Sequence, residues 1–160
     1  MPFKRDLTEL GDSEAMAKKR FYTLEKKLNA NADLREKYIS FIKEYKNLGH
    51  MKKIEKPDNA KFCYYMPHHC VLREESVTTK LRVVFDASAT TSSGVSLNDI
   101  QMIGPTIQNC LFNLLLSFRL HAFVITADIE KMYSQVLINP ERRSLQQIIF
   151  RLRFVNNIET

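Results

Sequence analysis

The sequence predicts an α+β fold, and three observations carry that prediction. Apolar residues recur at helical spacing between residues 14 and 48. After residue 60 the pattern changes to short runs rich in β-branched and aromatic residues. Near residue 122 a nearly unbroken apolar run, AFVITA, ends abruptly at Asp128. The division falls in a polar stretch, HMKKIEKPDNA over 50–60, which contains Pro57 and reads as a linker. Residues 1–60 are thus expected to form a helical N-terminal extension and linker, and residues 61–160 a second region of mixed structure.

The elements follow in order. Ala17, Phe21, Leu24 and Leu28 form one helical stripe, with Lys18, Lys19, Arg20, Lys26 and Lys27 on the other faces. Asp12 or Ser13 caps its start and Asn29-Ala30-Asn31 breaks it. A second helix carries Leu34, Tyr38, Phe41, Tyr45 and Leu48; Asp33 with Glu36 resembles a capping box, and Gly49 sits where a left-handed cap belongs. Each helix has one apolar stripe to bury, so the two form a hairpin. Residues 61–66 are strand-like, Pro67 interrupts them, and 70–73 resume. A polar loop over 74–79 precedes a strong strand, KLRVVFD, over 80–86. A Ser/Thr/Gly loop covers 87–95. Gly104-Pro105 opens a third helix lined by Ile107, Leu111, Leu114 and Phe118. The run over 122–127 reads as a strand buried on both faces. A short turn or helix through Tyr133, a segment over 136–138 and Asn139-Pro140 follow. Residues 148–155 read as a strand opening a hairpin with Asn156-Asn157 as its turn, so a truncated polypeptide is expected.

Composition sets bounds on function. A length of 160 residues suits one ordinary domain, and 44% hydrophobic with 26% charged residues are globular values. No run approaches the roughly 20 apolar residues of a membrane helix. The start, MPFKRD, has no apolar signal core, which predicts an intracellular protein, cytoplasmic or nuclear and not secreted. Lys and Arg number 24 against 18 Asp and Glu, a net charge of +6 that suits a polyanionic partner such as nucleic acid. Three cysteines without regular spacing predict reduced thiols.

Few residues have the placement that chemistry needs. A buried strand delivers a lone carboxylate, Asp128, at its C-terminal end. There it can hold a divalent cation and still face substrate, the arrangement two-metal phosphoryl transfer uses; an ordinary helix N-cap has the same spacing. Lys80 and Arg82 alternate on one face of their strand and can bracket a triphosphate, Arg by bidentate contact and Lys as a point charge; a solvated strand face looks the same. Asp86 pairs with one of these cations or caps the loop after it. Tyr133, five residues beyond Asp128, can reach back to a sugar ring or pack in a core. Cys63, His68, His69 and Cys70 suggest zinc, but Cys-x4-His-His-Cys is no common zinc spacing, and adjacent histidines in a strand face opposite ways.

Taken together, residues 64–138 resemble the reverse transcriptase of LTR retrotransposons, most closely the BEL/Pao group. The strings that carry the resemblance are YYMPHHCVLREESVTTKLRVVFDASATTSSGVSLND, IGPTIQNCLFNLLLSFR and TADIEKMYSQVLINP, in that order. PFKRDLTELGD and the helical pair ending in LGH are similar to what precedes that polymerase. The resemblance implies an incomplete right-hand polymerase fold, fingers plus partial palm, preceded by the helical hairpin. Asp128 then matches the first catalytic aspartate, a ligand of Mg²⁺, and Ile129 the neighbour whose backbone carbonyl also touches metal. Tyr133, beside Met132, matches the aromatic gate under the incoming deoxyribose. Arg82 matches the fingers arginine over the nucleotide phosphates, with Lys80 near the fingers lysines and Arg73 as its rival. Asp86 matches the acidic residue closing that strand, and Leu97-Asn98 the Leu-Asn after it.

The implied activity is RNA-directed DNA polymerisation on an RNA or DNA template-primer with dNTPs. The sequence departs from the family at one decisive place. The second metal-binding element is a Tyr-x-Asp-Asp hairpin, and no Asp-Asp occurs here. The chain is therefore expected to be a fragment without polymerase activity of its own. Two alternatives stand beside it. One is a non-catalytic nucleic-acid-binding remnant. The other is a protein-interaction remnant whose Phe21, Tyr38, Phe41 and Tyr45 stripe faces a partner.

Overall fold

Apolar stripes and local caps place the first two helices. The computed structural model describes residues 2–54, 62–73, 75 and 81–151. Helix α1 spans Glu14–Ala30 and buries Ala17, Phe21, Leu24 and Leu28. Helix α2 spans Ala32–Asn47 and buries Leu34, Tyr38 and Ile42. The cap of α2 is Asn31, whose side chain accepts the Leu34 amide. The expected capping box does not form: Asp33 lies inside the first turn and pairs with Lys37 at 2.5 Å. Ser13 precedes α1 but does not cap it, because its Oγ accepts the Tyr65 amide at 2.8 Å. Asp12 takes over, its Oδ1 accepting the Glu14 amide. Gly49 adopts φ 76°, and the amides of Gly49 and His50 close on Lys46 and Tyr45. That is the left-handed helix end a glycine allows without a Cβ penalty.

The sheet is small. Strand β1, His68–Leu72, pairs antiparallel with β2, Leu81–Phe85, with His68 opposite Phe85 and Val71 opposite Arg82. Strand β2 alternates as its sequence pattern requires: Leu81 is buried, and Arg82 and Val84 are exposed. The run over 62–66 forms no strand; Tyr65 makes one parallel bridge, to Gln147. Lys80, the loop over 76–79 and the expected turn at Asn156-Asn157 lie outside the described residues. The described part of the expected strand over 148–155, residues 148–151, is not a strand.

Helical pair and sheet share a core. Phe21, Leu24, Leu28, Leu34, Tyr38 and Ile42 bury together with Cys70 and Leu81. The aromatic stripe is therefore occupied within the molecule. Phe21 and Tyr38 are buried against His68, whereas Phe41 and Tyr45 are half-buried and stack on each other, and Tyr45 lies against Phe85. A second core gathers Tyr64, Leu97, Ile100 and Leu145. Short helix α3, Leu97–Ile100, starts at a capping box in which Ser96 and Asp99 satisfy each other's backbone amides. Two 3-10 turns, Leu7–Glu9 and Pro140–Gln146, complete this compact unit.

Met102–Leu137 forms the other compact unit. Helix α4 spans Leu111–Arg119, with Cys110 at its N-cap. It begins well after Gly104-Pro105, and Ile107 lies outside it at 90% exposure. None of its residues is buried. The run over 122–127 forms no strand and is not buried: Phe123 is 93% exposed and Ile125 92%. A strand's hydrogen bonds need a neighbour, and no strand of the described residues pairs with this run. Helix α4 satisfies its own backbone and so forms without one. Among the described residues, no helix is long and apolar enough to cross a membrane.

Candidate functional site

Asp128 follows the exposed apolar run and is itself exposed. Its Oδ1 accepts the Ile129 amide at 2.9 Å. Ile129 is exposed as well. Two residues later Lys131 takes φ 52° and ψ 38°, the left-handed region that non-glycine residues enter at a cost. That bend leads into a 3-10 turn, Met132–Gln135, closed by the Ser134 amide on the Lys131 carbonyl at 2.8 Å. Tyr133 stands on this turn, 88% exposed, and its neighbours throughout 102–132 are exposed as well; Met132 is half-exposed. The Asp128 carboxylate, the Ile129 backbone and the Tyr133 ring are thus presented from one short solvent-facing segment.

The other predicted residues belong to the unit with the sheet. Arg82 is exposed on the outer face of β2, and Arg73 is exposed just beyond β1. Lys80 lies outside the described residues. Asp86 ends β2, its amide donating to the Pro67 carbonyl at 2.8 Å. Of the two expectations, a pair with Lys80 or Arg82 or a cap on the loop after β2, the structure shows the cap, on Ser88, and the cation beside the carboxylate is Arg20 of α1, with Nη1 2.6 Å from Oδ2. Oδ1 accepts both the Ser88 amide and the Ser88 hydroxyl. The Ser88 hydroxyl, then the Arg20 guanidinium, hold the Asp86 carboxyl below its ordinary range against the opposing effect of partial burial. Asn98 donates its amide to the Ala87 carbonyl at 3.1 Å, which ties α3 to the turn after β2; its side chain is exposed.

The histidine and cysteine cluster is split by the strand. His68 is buried and shares a hydrogen bond of 2.8 Å with Tyr38, whose ring stacks on it. Burial, then the neighbouring His69, push His68 down to about 4, and burial pushes the Cys70 thiol up to about 11. His69 points outward and is exposed. Among the described residues no group of three His, Cys, Asp or Glu side chains gathers to hold a metal. Asp128 with the Ile129 carbonyl supplies a fraction of a two-cation ligand set. Among the described residues, no set of side chains gathers beside Asp128 that would fit a pair of magnesium ions.

Sequence reasoning missed the residues that anchor the turn after β2. Gly11 donates to the hydroxyls of Thr91 and Ser93, Asp12 exchanges bonds with Ser92, and Tyr64 donates to the Ala89 carbonyl. A Ser/Thr-rich loop announces hydroxyl bonding but not its partners about 80 residues away. An open cleft of about 380 Å³ lies in the same unit among Phe3, Arg5, Asp6, Leu7, Phe62 and Arg142, and none of the predicted residues lines it. No family model, no curated protein and no solved structure matches this chain.

Proposed function

We propose that this chain forms the fingers and the first part of the palm of an RNA-directed DNA polymerase of the BEL/Pao type, within a right-hand fold. The observation that carries the reading is the ordered occurrence of three family-like strings from residue 64 onward. The exposure of Asp128 and Tyr133 on one short segment is compatible with it, as is the outward Arg82. The bare apolar run over 122–127 is what a palm strand presents when its neighbours come from elsewhere in the polypeptide. In this reading Arg82, with Lys80 or Arg73, neutralises the triphosphate of the incoming dNTP. Tyr133, beside Met132, lies under the deoxyribose and leaves no room for a 2′-hydroxyl. Asp128 and the Ile129 carbonyl contribute to a magnesium site that a separate Asp-Asp pair must complete. Asp86 and Asn98 hold the turn that ends β2. By itself the chain then carries no polymerase activity.

The test is primer extension by a polypeptide that continues in frame from this chain to a Tyr-x-Asp-Asp motif. Asp128→Asn is expected to abolish dNTP incorporation, and Tyr133→Ala to admit ribonucleotides while most incorporation survives. Near-normal extension by Asp128→Asn defeats the assignment. An in-frame stop codon before any such motif instead leaves a non-catalytic remnant. The +6 net charge favours nucleic-acid binding for that remnant. Its affinity would fall linearly in log–log terms with salt and show no base preference. Absence of binding at about 50 mM salt counts against it.

A further inference from the structure

We infer that residues 9–20 brace the end of β2, and that Arg20 is a positioning residue for nucleotide binding through Arg82. The inference rests on the polymerase reading of Arg82 and adds a role for the segment upstream of the strands.

Two independent sets of contacts converge on the same turn. The first is the ion pair from Arg20 to Asp86, the residue that closes β2. The second is a strap. The Ser92 amide donates to the Asp12 carbonyl at 2.9 Å while the Asp12 amide donates to Ser92 Oγ at 2.8 Å. The Gly11 amide donates to Thr91 Oγ1 and Ser93 Oγ, both at 3.1 Å, and Ser93 Oγ donates to the Glu9 carbonyl at 2.7 Å. The approach is close enough to require glycine. A Cβ on Gly11 would stand 2.3 Å from Ser92 Oγ and 2.6 Å from the Ser93 backbone nitrogen. The brace therefore grips the chain at residue 86 and again at 91–93, on either side of the turn.

Strand β2 directs Leu81, Val83 and Phe85 toward the helices and leaves Arg82 on the outer face. Holding the strand's end fixes the direction from which Arg82 reaches a phosphate. The Arg20 and Asp86 side chains are 41% and 20% exposed. With the guanidinium open to solvent and the carboxylate part-buried, the pair adds only modestly to global stability, and Tm separates a folding loss from a change in geometry.

The experiment uses the polypeptide that carries the Tyr-x-Asp-Asp motif and reads KM for dNTP, kcat and Tm. Arg20→Ala is expected to raise KM roughly three- to tenfold with kcat within about twofold, and Arg20→Lys to recover most of the loss. Gly11→Ala, which leaves Asp86 untouched, is expected to raise KM in the same direction and to speed hydrogen exchange at the Ser92 amide. Arg82→Ala is the control. If it raises KM while Arg20→Ala and Gly11→Ala do not, the brace is wrong and the polymerase reading stands. If Arg82→Ala leaves KM unmoved, the assignment of Arg82 fails, and the inference fails with it. A fall in kcat with KM unchanged in the Arg20 and Gly11 variants also overturns the positioning role.

Discussion

Leu28 and Ile125 have much the same chemistry and opposite fates. Leu28 is 0% exposed in a core shared by two helices and two strands; Ile125 is 92% exposed. The difference lies in partners rather than hydrophobicity. Apolar area stabilises a fold only when another surface removes it from water. In the unit built on β1 and β2, the stripes of α1 and α2 meet the inner face of the sheet. In Met102–Leu137, helix α4 forms and the strand-like run after it does not. A helix closes its hydrogen bonds within itself, whereas a strand requires a second strand.

The sharpest test of that comparison is a matched pair of truncations, of which the first carries the largest effect. Leu28→Ala is expected to destabilise the chain by about 2–5 kcal/mol, read from urea denaturation. Acid comes next. Because burial holds His68 near 4 in the folded state, the unfolded chain, with its ordinary value of 6.5, binds the proton first. Stability is then full above pH 6.5 and falls as pH drops toward 4, by on the order of 3 kcal/mol. The depressed carboxyl of Asp86 acts in the same direction, its contribution being lost as pH falls through its folded-state value. Denaturation midpoints that do not move between pH 7 and pH 4 would show that His68 is not held in the core. The smallest effect belongs to Ile125→Ala, expected to stay within about 0.5 kcal/mol. A loss there as large as that of Leu28→Ala would erase the distinction between the two regions.

Much of the first unit was legible from local pattern. The stripe of α1, the glycine after α2 and the alternation of β2 all follow from periods of 3.6 and 2 that neighbouring residues impose on each other; of the expected α2 stripe, Leu34 and Tyr38 are buried, Ile42 replaces Phe41 and Tyr45 in the core, and Leu48 is 50% exposed. Of the predicted site residues, Asp128 and Tyr133 fall on one short exposed segment and Arg82 faces outward, but the buried strand expected to deliver Asp128 does not form. The partner of Asp86 was not, because Arg20 sits 66 residues away on a helix face that also reads as ordinary solvated charge.

Hydrogen bonds and steric preferences within a few residues decide where α1 and α2 run, where α2 ends, and which face of β2 is apolar, and all of that is local. Tertiary structure alone decided which hydroxyl caps a helix and which is taken by a distant amide, as at Ser13, and which histidine becomes core, as at His68 beside Tyr38. It also decided that AFVITA, apolar as any strand, remains unpaired among the described residues. The physical reason is common to all three: burial and pairing belong to two surfaces at once, and the pattern of one stretch specifies just its own.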